Sequence, residues 1–269
     1  METINNLLIE KTIEAVMFNS DGSVRWSAQD VAEPKINVTT EAKEKLDAMQ
    51  NVISKLFTGK KAEVTFTTNI FSLGIAAAQA GADVESASDT NKMVTSRRDE
   101  IVVGATDGTV NTTITLTQTP IGTEGSAVKY IYVQNADRSL GRRFEVGVDA
   151  DDKTFTQSGA TITLPVGADI KATDTIVVYY DYEAVSGTGF TSTTEVKSDN
   201  GILKLYVRFK DVCNEEMKYS GVIEFPAAQL SPDCEIGLAY DSTYPITVFA
   251  NKKYCSSVDK LFSVFIPVD

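Results

Sequence analysis

Apolar and polar residues alternate at every second position through most of this chain. In Thr109–Thr117, Val110, Ile114 and Leu116 fall on one side and Thr113, Thr115 and Thr117 on the other, the pattern of a half-buried strand. Asp174–Glu183 repeats it, with Ile176, Val178, Tyr180 and Tyr182 on one face. β-Branched and aromatic runs at Lys129–Gln134, Arg143–Val148, Thr161–Leu164, Ile202–Phe209, Tyr219–Phe225, Ile246–Ala250 and Leu261–Ile266 predict further strands. Turn residues fall between them at Asp21-Gly22, Asp107-Gly108, Ala136–Ser139 and Asp199-Asn200-Gly201. Short connections favour antiparallel pairing, so the fold class is mainly β.

Two stretches carry a helical period instead. Glu41–Phe57 places Ala42, Leu46, Met49, Ile53 and Leu56 three and four apart among Glu and Lys, which predicts an amphipathic helix with Thr39 or Thr40 as N-cap. Ile70–Ala80 is small and apolar and is followed by Gly81 in the place of a C-terminal cap, which predicts a second, short helix. Between Asp83 and Glu100 the chain turns polar and loses its period, which reads as a long loop or an arm that orders against a neighbour.

Composition shifts near Asp107 and Ser186. The interval 105–185 opens on a Gly/Asp turn, holds about five predicted strands, and ends in Ser186-Gly187-Thr188-Gly189, read as a flexible joint. It is expected to be a small β-sandwich inserted into a discontinuous parent domain formed by 1–104 and 186–269.

The 269 residues are 42% apolar and 23% charged, ordinary for a folded chain. Histidine is absent, which removes the commonest general base and metal ligand and with them triad hydrolases and His-ligated metals. Leu7-Leu8-Ile9 is followed at once by Glu10 and Lys11, too short for a secretory core or a membrane span. Cys213, Cys234 and Cys255 stand 21 residues apart without a CxxC pair and are expected to be reduced, structural thiols in a cytosolic assembly environment. The net charge of −12 disfavours gripping nucleic acid through its phosphates.

A search for chemistry finds no catalytic, cofactor-binding or metal-binding residues to assign. Asp149, Asp151 and Asp152 lack the glycine and distal glutamate of a calcium loop and read as a solvated turn. Gly187-Thr188-Gly189 is too short for a dinucleotide fingerprint. Lys60-Lys61, Arg97-Arg98 and Arg142-Arg143 are separate pairs diluted by acids. Tyr130, Tyr132, Tyr179, Tyr180 and Tyr182 lie on predicted strands, where packing is the simpler role, and Trp26 reads as a core anchor. The chain is therefore expected not to be an enzyme.

Three C-terminal segments, LKLYVRFKDVC at Leu203–Cys213, KYSGVIEFPAA at Lys218–Ala228 and Ile246–Phe249, resemble the tail tube proteins of long-tailed bacteriophages. In that family a strand precedes a short Asp/Cys-containing turn, a second strand ends in a proline, and a late strand closes the sheet. The segments Thr115–Pro120, Tyr130–Val133 and Ser139–Phe144 are similar to β-sandwich modules of phage virions. The resemblance implies a β-barrel or β-sandwich flanked by one or two short helices and assembled into hexameric rings. The rings stack into a conduit through which DNA passes without specific binding. It implies other tail proteins as partners and a place in the virion after assembly in the host cytoplasm. It places the inserted module outside and parent strands along the channel. It also implies a long hairpin over Lys45–Thr67 with Lys55–Lys61 near its tip, against which the residues' own reading as a helix is kept. A capsid decoration or head-tail joining protein is the alternative within the same class, and a carbohydrate-binding adhesin using exposed aromatics of the inserted module is the alternative outside it.

Overall fold

The computed structural model describes residues 6–195, 200–214, 216–252 and 260–267. The chain is mainly β, with 55% in strands and 3% helical. It divides into two compact units, Met1–Glu85 with Gly189–Asp269, and Ser86–Thr188. In chain order the first unit opens with β1 (Leu7–Phe18), β2 (Val24–Ala28), β3 (Ala32–Leu46), β4 (Val52–Thr68) and helix α1 (Leu73–Gln79). After β5 (Glu85–Ala87) come β6 (Met93–Val102), β7 (Ala105–Thr106), β8 (Thr109–Val110), β9 (Thr113–Thr115), β10 (Tyr130–Gln134), β11 (Leu140–Val146), β12 (Thr154–Ser158), β13 (Thr161–Thr163) and β14 (Thr175–Ala184). Then follow β15 (Gly187–Gly189), β16 (Asn200–Asp211), β17 (Lys218–Leu230), β18 (Tyr244–Ala250) and β19 (Ser263–Phe265).

The first unit is built on one sheet in the order β2-β1-β16-β17-β18-β4-β3, with β19 also on β17. Alternate residues of its central strands, including Leu203, Leu205, Val207, Ile223, Phe225, Val64 and Phe66, bury into one core with Trp26. Where Gly201 pairs with Ala228 and Leu203 with Phe225, β17 carries one extra residue, and Pro226 sits in that bulge. A proline donates no ladder bond and is tolerated at such a point. The bulge is also where β17 exchanges partners, from β19 at Val222–Glu224 to β18 at Ala228–Leu230. A side chain at Gly201 would collide with the Phe18 carbonyl oxygen, so that close strand approach requires glycine. Helix α1 begins at Ser72, whose hydroxyl accepts from the Ile75 N–H. It ends with Gly81 at φ +67° and with Gly81 N–H to Ala78 O and Ala82 N–H to Ala77 O, the paired bonds of a glycine-terminated helix.

The second unit has a path β6-β14-β10-β11-β12-β13-β9, antiparallel except at β11–β12. That parallel contact involves only Glu145 with Thr154 and Val146 with Phe155. Strands on both sides of it feed one core, with Ile131, Phe144, Ile176 and Val178 from one side and Phe155, Ile162 and Ile114 from the other. The arrangement is a small sandwich. The connectors β5 and β15 pair as a two-stranded sheet of their own.

The structure corrects several expectations. Glu41–Phe57 is not a helix: it spans the end of β3, a turn at 47–51 and the start of β4. The Asp47 carboxylate accepts from the Met49 and Asn51 N–H groups, and Gln50 takes φ +63°, so the chain reverses where the helical reading ran straight through. The hairpin implied by resemblance is present, but its tip is Asp47–Asn51, and Lys55–Lys61 lie within β4. The polar stretch Asp83–Glu100 is largely strand, because β5 and most of β6 fall in it, and the second unit begins at Ser86, where the sequence reading began it at 105. Ser186–Gly189 is not a free joint, since β15 pairs with β5. Asn200 and Gly201 begin β16 instead of making a turn, while Asp199 lies outside the described residues. β17 does not end at its proline but continues through the bulge to Leu230.

Phe225 is fully buried in the first unit and Phe155 in the second. Truncating either to Ala is expected to cost about 3–5 kcal/mol. Urea unfolding followed by the fluorescence of Trp26, which belongs to the first unit, is expected to shift its midpoint strongly for Phe225→Ala and much less for Phe155→Ala.

Candidate functional site

Two surfaces stand out, one on each unit. The first is the β3–β4 hairpin. Its base is held in the sheet, where Ala62–Thr68 of β4 pairs with β18 on one side and with β3 on the other. Beyond Ala62 no strand accompanies it among the described residues, and β3 and β4 continue alone as a two-stranded ribbon to the Asp47–Asn51 turn. At a rise near 3.3 Å per residue the ten residues from Val52 to Lys61 extend about 30 Å.

Among the described residues nothing covers either face of that ribbon. Leu46, Met49, Val52, Ile53, Leu56 and Phe57 are all exposed, Met49 at 83% and Phe57 at 67%. Phe57 is opposite Ala42, and Leu56 opposite Lys43, so adjacent apolar residues of β4 point to opposite faces. What holds the ribbon together is its backbone ladder plus exposed ion pairs, Lys55–Glu44 at 2.7 Å and Lys61–Glu41 at 2.6 Å. Such pairs contribute little in water, and an isolated two-stranded hairpin is marginal at best.

The second surface is the outward face of β6-β14-β10-β11. Register brings Arg98 beside Tyr179, Glu100 beside Val177, Val177 beside Tyr132, Tyr132 beside Arg143 and Tyr130 beside Glu145. Tyr132 and Tyr179 meet edge to face, centroids 6.4 Å apart at 77°. The Arg143 guanidinium lies 4.7 Å over the Tyr130 ring and donates to Glu145 at 2.9 Å. Arg98 Nε donates to the Tyr179 hydroxyl at 3.0 Å, and the same guanidinium pairs with Glu100. Hydrogen bonding to Arg98 lowers the Glu100 carboxyl below its ordinary value. An open groove of about 560 Å³ runs along these tyrosines, with Ser96, Lys129 and Asp181 on its walls.

Beneath that face lies a buried polar knot. Asp99 is 5% exposed and accepts from Arg97 Nε at 2.7 Å, the Thr117 N–H at 2.8 Å and the Tyr180 hydroxyl at 2.8 Å. The Tyr180 hydroxyl in turn accepts from the Gln118 N–H at 3.0 Å. Burial by itself pushes the Asp99 carboxyl up, but the Thr117 N–H, Arg97 and Tyr180 together hold it below the usual range. Burial, reinforced by the carboxylate, pushes Tyr180 up to about 12. The knot ties 117–118 to β6 and β14 and fixes the strands that present the tyrosine face.

The sequence-selected groups are distributed differently. Tyr180 is a core residue, Tyr182 half-buried, and Tyr130, Tyr132 and Tyr179 form the outward face. Trp26 is buried near Phe66. Asp151 is occupied by the Lys153 and Thr154 N–H groups and the Thr154 hydroxyl, a local turn. Arg142 donates to the Ala168 and Asp169 carbonyls. Cys213 and Cys234 are exposed free thiols and fill no core, contrary to the expectation for them, and Cys255 lies outside the described residues. Asp99 was missed because a carboxylate at an inward position of β6 breaks the apolar alternation that marks a strand. Among the described residues no three His, Cys, Asp or Glu side chains are grouped to hold a metal ion, and no helix is long and apolar enough to cross a membrane. The chain matches no protein-family model and no curated protein.

The knot sets a pH response at both ends of the scale. The Asp99 value is depressed on folding, so its contribution is present above the unfolded carboxyl value near 4 and is lost as pH falls through the lower folded value. The Tyr180 value is raised, so its contribution is complete below the unfolded value near 10 and is lost as pH rises toward about 12. Asp99→Asn is expected to destabilise the second unit by about 1–3 kcal/mol at neutral pH and to flatten its acid limb, measured by denaturation across pH. A wild-type acid limb equal to that of Asp99→Asn would contradict this role.

Proposed function

We propose that this chain is a structural subunit that self-assembles into rings stacked as a tube, the role of a bacteriophage tail tube protein, and that it performs no catalysis. The observation that carries the reading is the β3–β4 ribbon, about 30 Å of paired strand with apolar residues on both faces and no second layer. Large apolar side chains exposed on both faces of one ribbon favour contact with a partner. Each of its large apolar side chains contributes on the order of 1–2 kcal/mol when a partner removes it from water.

Open edges supply the other half of the argument. β3 ends the sheet on one side, and on the other β2 covers β1 only over Ala15–Phe18, leaving Leu7–Glu14 of β1 without an outer neighbour among the described strands. Edges of this length template pairing with another chain unless they are completed. A head-to-tail contact between copies, edge to edge and ribbon to neighbour, closes into a ring when the rotation allows and stacks when the contact also runs along the axis. In such a tube the net charge of −12 per subunit supports passage of DNA without retention, because like charges repel within a Debye length of roughly 10 Å at 0.1 M salt.

Purified protein is expected to sediment as a large oligomer and to show rings or tubes by negative-stain electron microscopy. Replacing Leu56 and Phe57 together with Glu is expected to yield a folded monomer, with Trp26 fluorescence unchanged. A wild-type protein that stays monomeric at millimolar concentration would sink the proposal. Assembly undiminished in the double variant would show that the ribbon is not the contact.

A further inference from the structure

The geometry points to a second binding surface that is independent of assembly: we propose that the outward face of β6-β14-β10-β11 binds an uncharged polysaccharide. Three observations carry it. The first is aromatic. Tyr132 and Tyr179 make a right-angled corner, and Tyr179 and Tyr130 are 47% and 38% exposed. Sheet-face tyrosines that only pack are covered, as Tyr180 is on the opposite side of the same strand. Each ring carries a guanidinium over one face, Arg143 at 4.7 Å over Tyr130 and Arg98 at 5.8 Å over Tyr179. The ring surface left exposed can take the C–H bonds of a pyranose, while the Tyr179 hydroxyl, which accepts from Arg98, can still donate to a sugar hydroxyl.

The second observation is the charge pattern. The face carries Arg98, Arg143 and Lys129 against Glu100, Glu145 and Asp181, and Arg97, which also lines the groove, is paired with the buried Asp99, so the face is balanced on a chain of net charge −12. Both arginines are matched to glutamates on their own strands. Paired in this way they neither attract a polyanion nor repel a neutral chain, yet each guanidinium has five N–H donors and each carboxylate several acceptor positions. Among the described residues Arg143 directs a bond to Glu145 and Arg98 to Tyr179 and Glu100. The rest of that planar, pre-oriented set matches the vicinal hydroxyls of a sugar. The Ser96 hydroxyl, bonded to Asp181 at 2.5 Å, extends the same row of donors and acceptors along the groove.

The third is rigidity. The face is backed by the Asp99–Tyr180–Arg97 knot and by Ile131, Ile176 and Val178, each fully buried. The groove volume of about 560 Å³ falls in the range of small-ligand sites, room for a few sugar units of a longer chain. A polyanion such as nucleic acid or a uronate polymer is disfavoured, because the face has no excess positive charge to release its counterions.

The test uses the full chain on an array of neutral and acidic glycans, followed by calorimetry with the neutral oligosaccharides that bind and with an oligothymidylate. Binding to neutral glycans is expected, with weak dependence on salt. Tyr179→Ala and Tyr130→Ala are each expected to weaken it at least tenfold by loss of stacking, whereas Tyr179→Phe keeps most of it. The thermal midpoint, which these exposed positions leave nearly unchanged, guards against misfolding. The non-assembling Leu56→Glu, Phe57→Glu chain is expected to bind with the same intrinsic affinity, which separates this inference from the tube. Absence of neutral-glycan binding at millimolar concentration, binding confined to acidic glycans or oligothymidylate, or full binding by a Tyr130→Ala, Tyr179→Ala double variant would each overturn it.

Discussion

A pair of β-strands that leaves its parent sheet has hydrogen bonds along one edge of each strand and nothing to bury either face against, and this imbalance governs the molecule. In the β3–β4 ribbon it is compounded by Leu46, Val52, Ile53, Leu56 and Phe57, which raise the cost of standing alone in water. The remainder of the first unit holds the base of that ribbon firmly. β17 bends at the Pro226 bulge and passes its free edge to β18, and β18 pairs residue by residue with Ala62–Thr68. The buried alternation of Ala62, Val64, Phe66 and Thr68 anchors one end of β4, while its other end is left for a partner. A strand with one half in a core and the other half exposed on both sides fits the proposed subunit, in which copies of the chain would complete it.

The second unit solves a different problem. It has its own core, separate from that of the first unit. Its strand β6 sacrifices an apolar inward position for Asp99, and the lost hydrophobic burial is offset by three hydrogen bonds, from Arg97 on β6, Tyr180 on β14 and the Thr117 N–H. A buried carboxylate is tolerable only when saturated in this way. The reward is specificity of register: slipping β6 by one residue would expose Asp99 and bury Arg98, a state with no partners for either.

These same features decide what the amino-acid pattern revealed. Strands with one face in a core, such as β10, β16 and β17, imposed alternation on their residues and were legible, as was β14 apart from its run Ile176–Val178. The ribbon did not, because two solvent-facing sides select no alternation. Its apolar positions at 42, 46, 49, 53 and 56 therefore mimicked a helical stripe although they belong to two strands and a turn. Helix propensities differ by less than about 0.7 kcal/mol per residue, too little to resist a strand already extended from β18. Asp47 and Asn51, spaced to cap a reversal, were the local sign. β6 was hidden by its charges outside and its aspartate inside, and with it went the pairing of Arg98 and Glu100 across from the tyrosines. The tyrosines could be picked out along the chain, but packing was the role read for them, and both their exposure and their arginine neighbours required the fold.

The two candidate surfaces obey different physics, which is why one molecule can carry both without conflict. The ribbon is apolar and open on both faces, so contact with it would release water from large side chains and favour lasting association, as the proposed assembly requires. The tyrosine face is polar and only partly paired within itself, so a ligand there would take up the donors and acceptors left over in exchange for water, and the net gain per bond is about 0.5–1.5 kcal/mol. Single contacts of that strength are weak and reversible. Repeated around a ring and along a stack, identical weak sites act together, and avidity rises with copy number without any new contact. In the proposed tube the assembly surface thereby determines how useful the recognition surface is: the ribbon sets the number of faces presented, and that number sets how firmly a repetitive polymer is held.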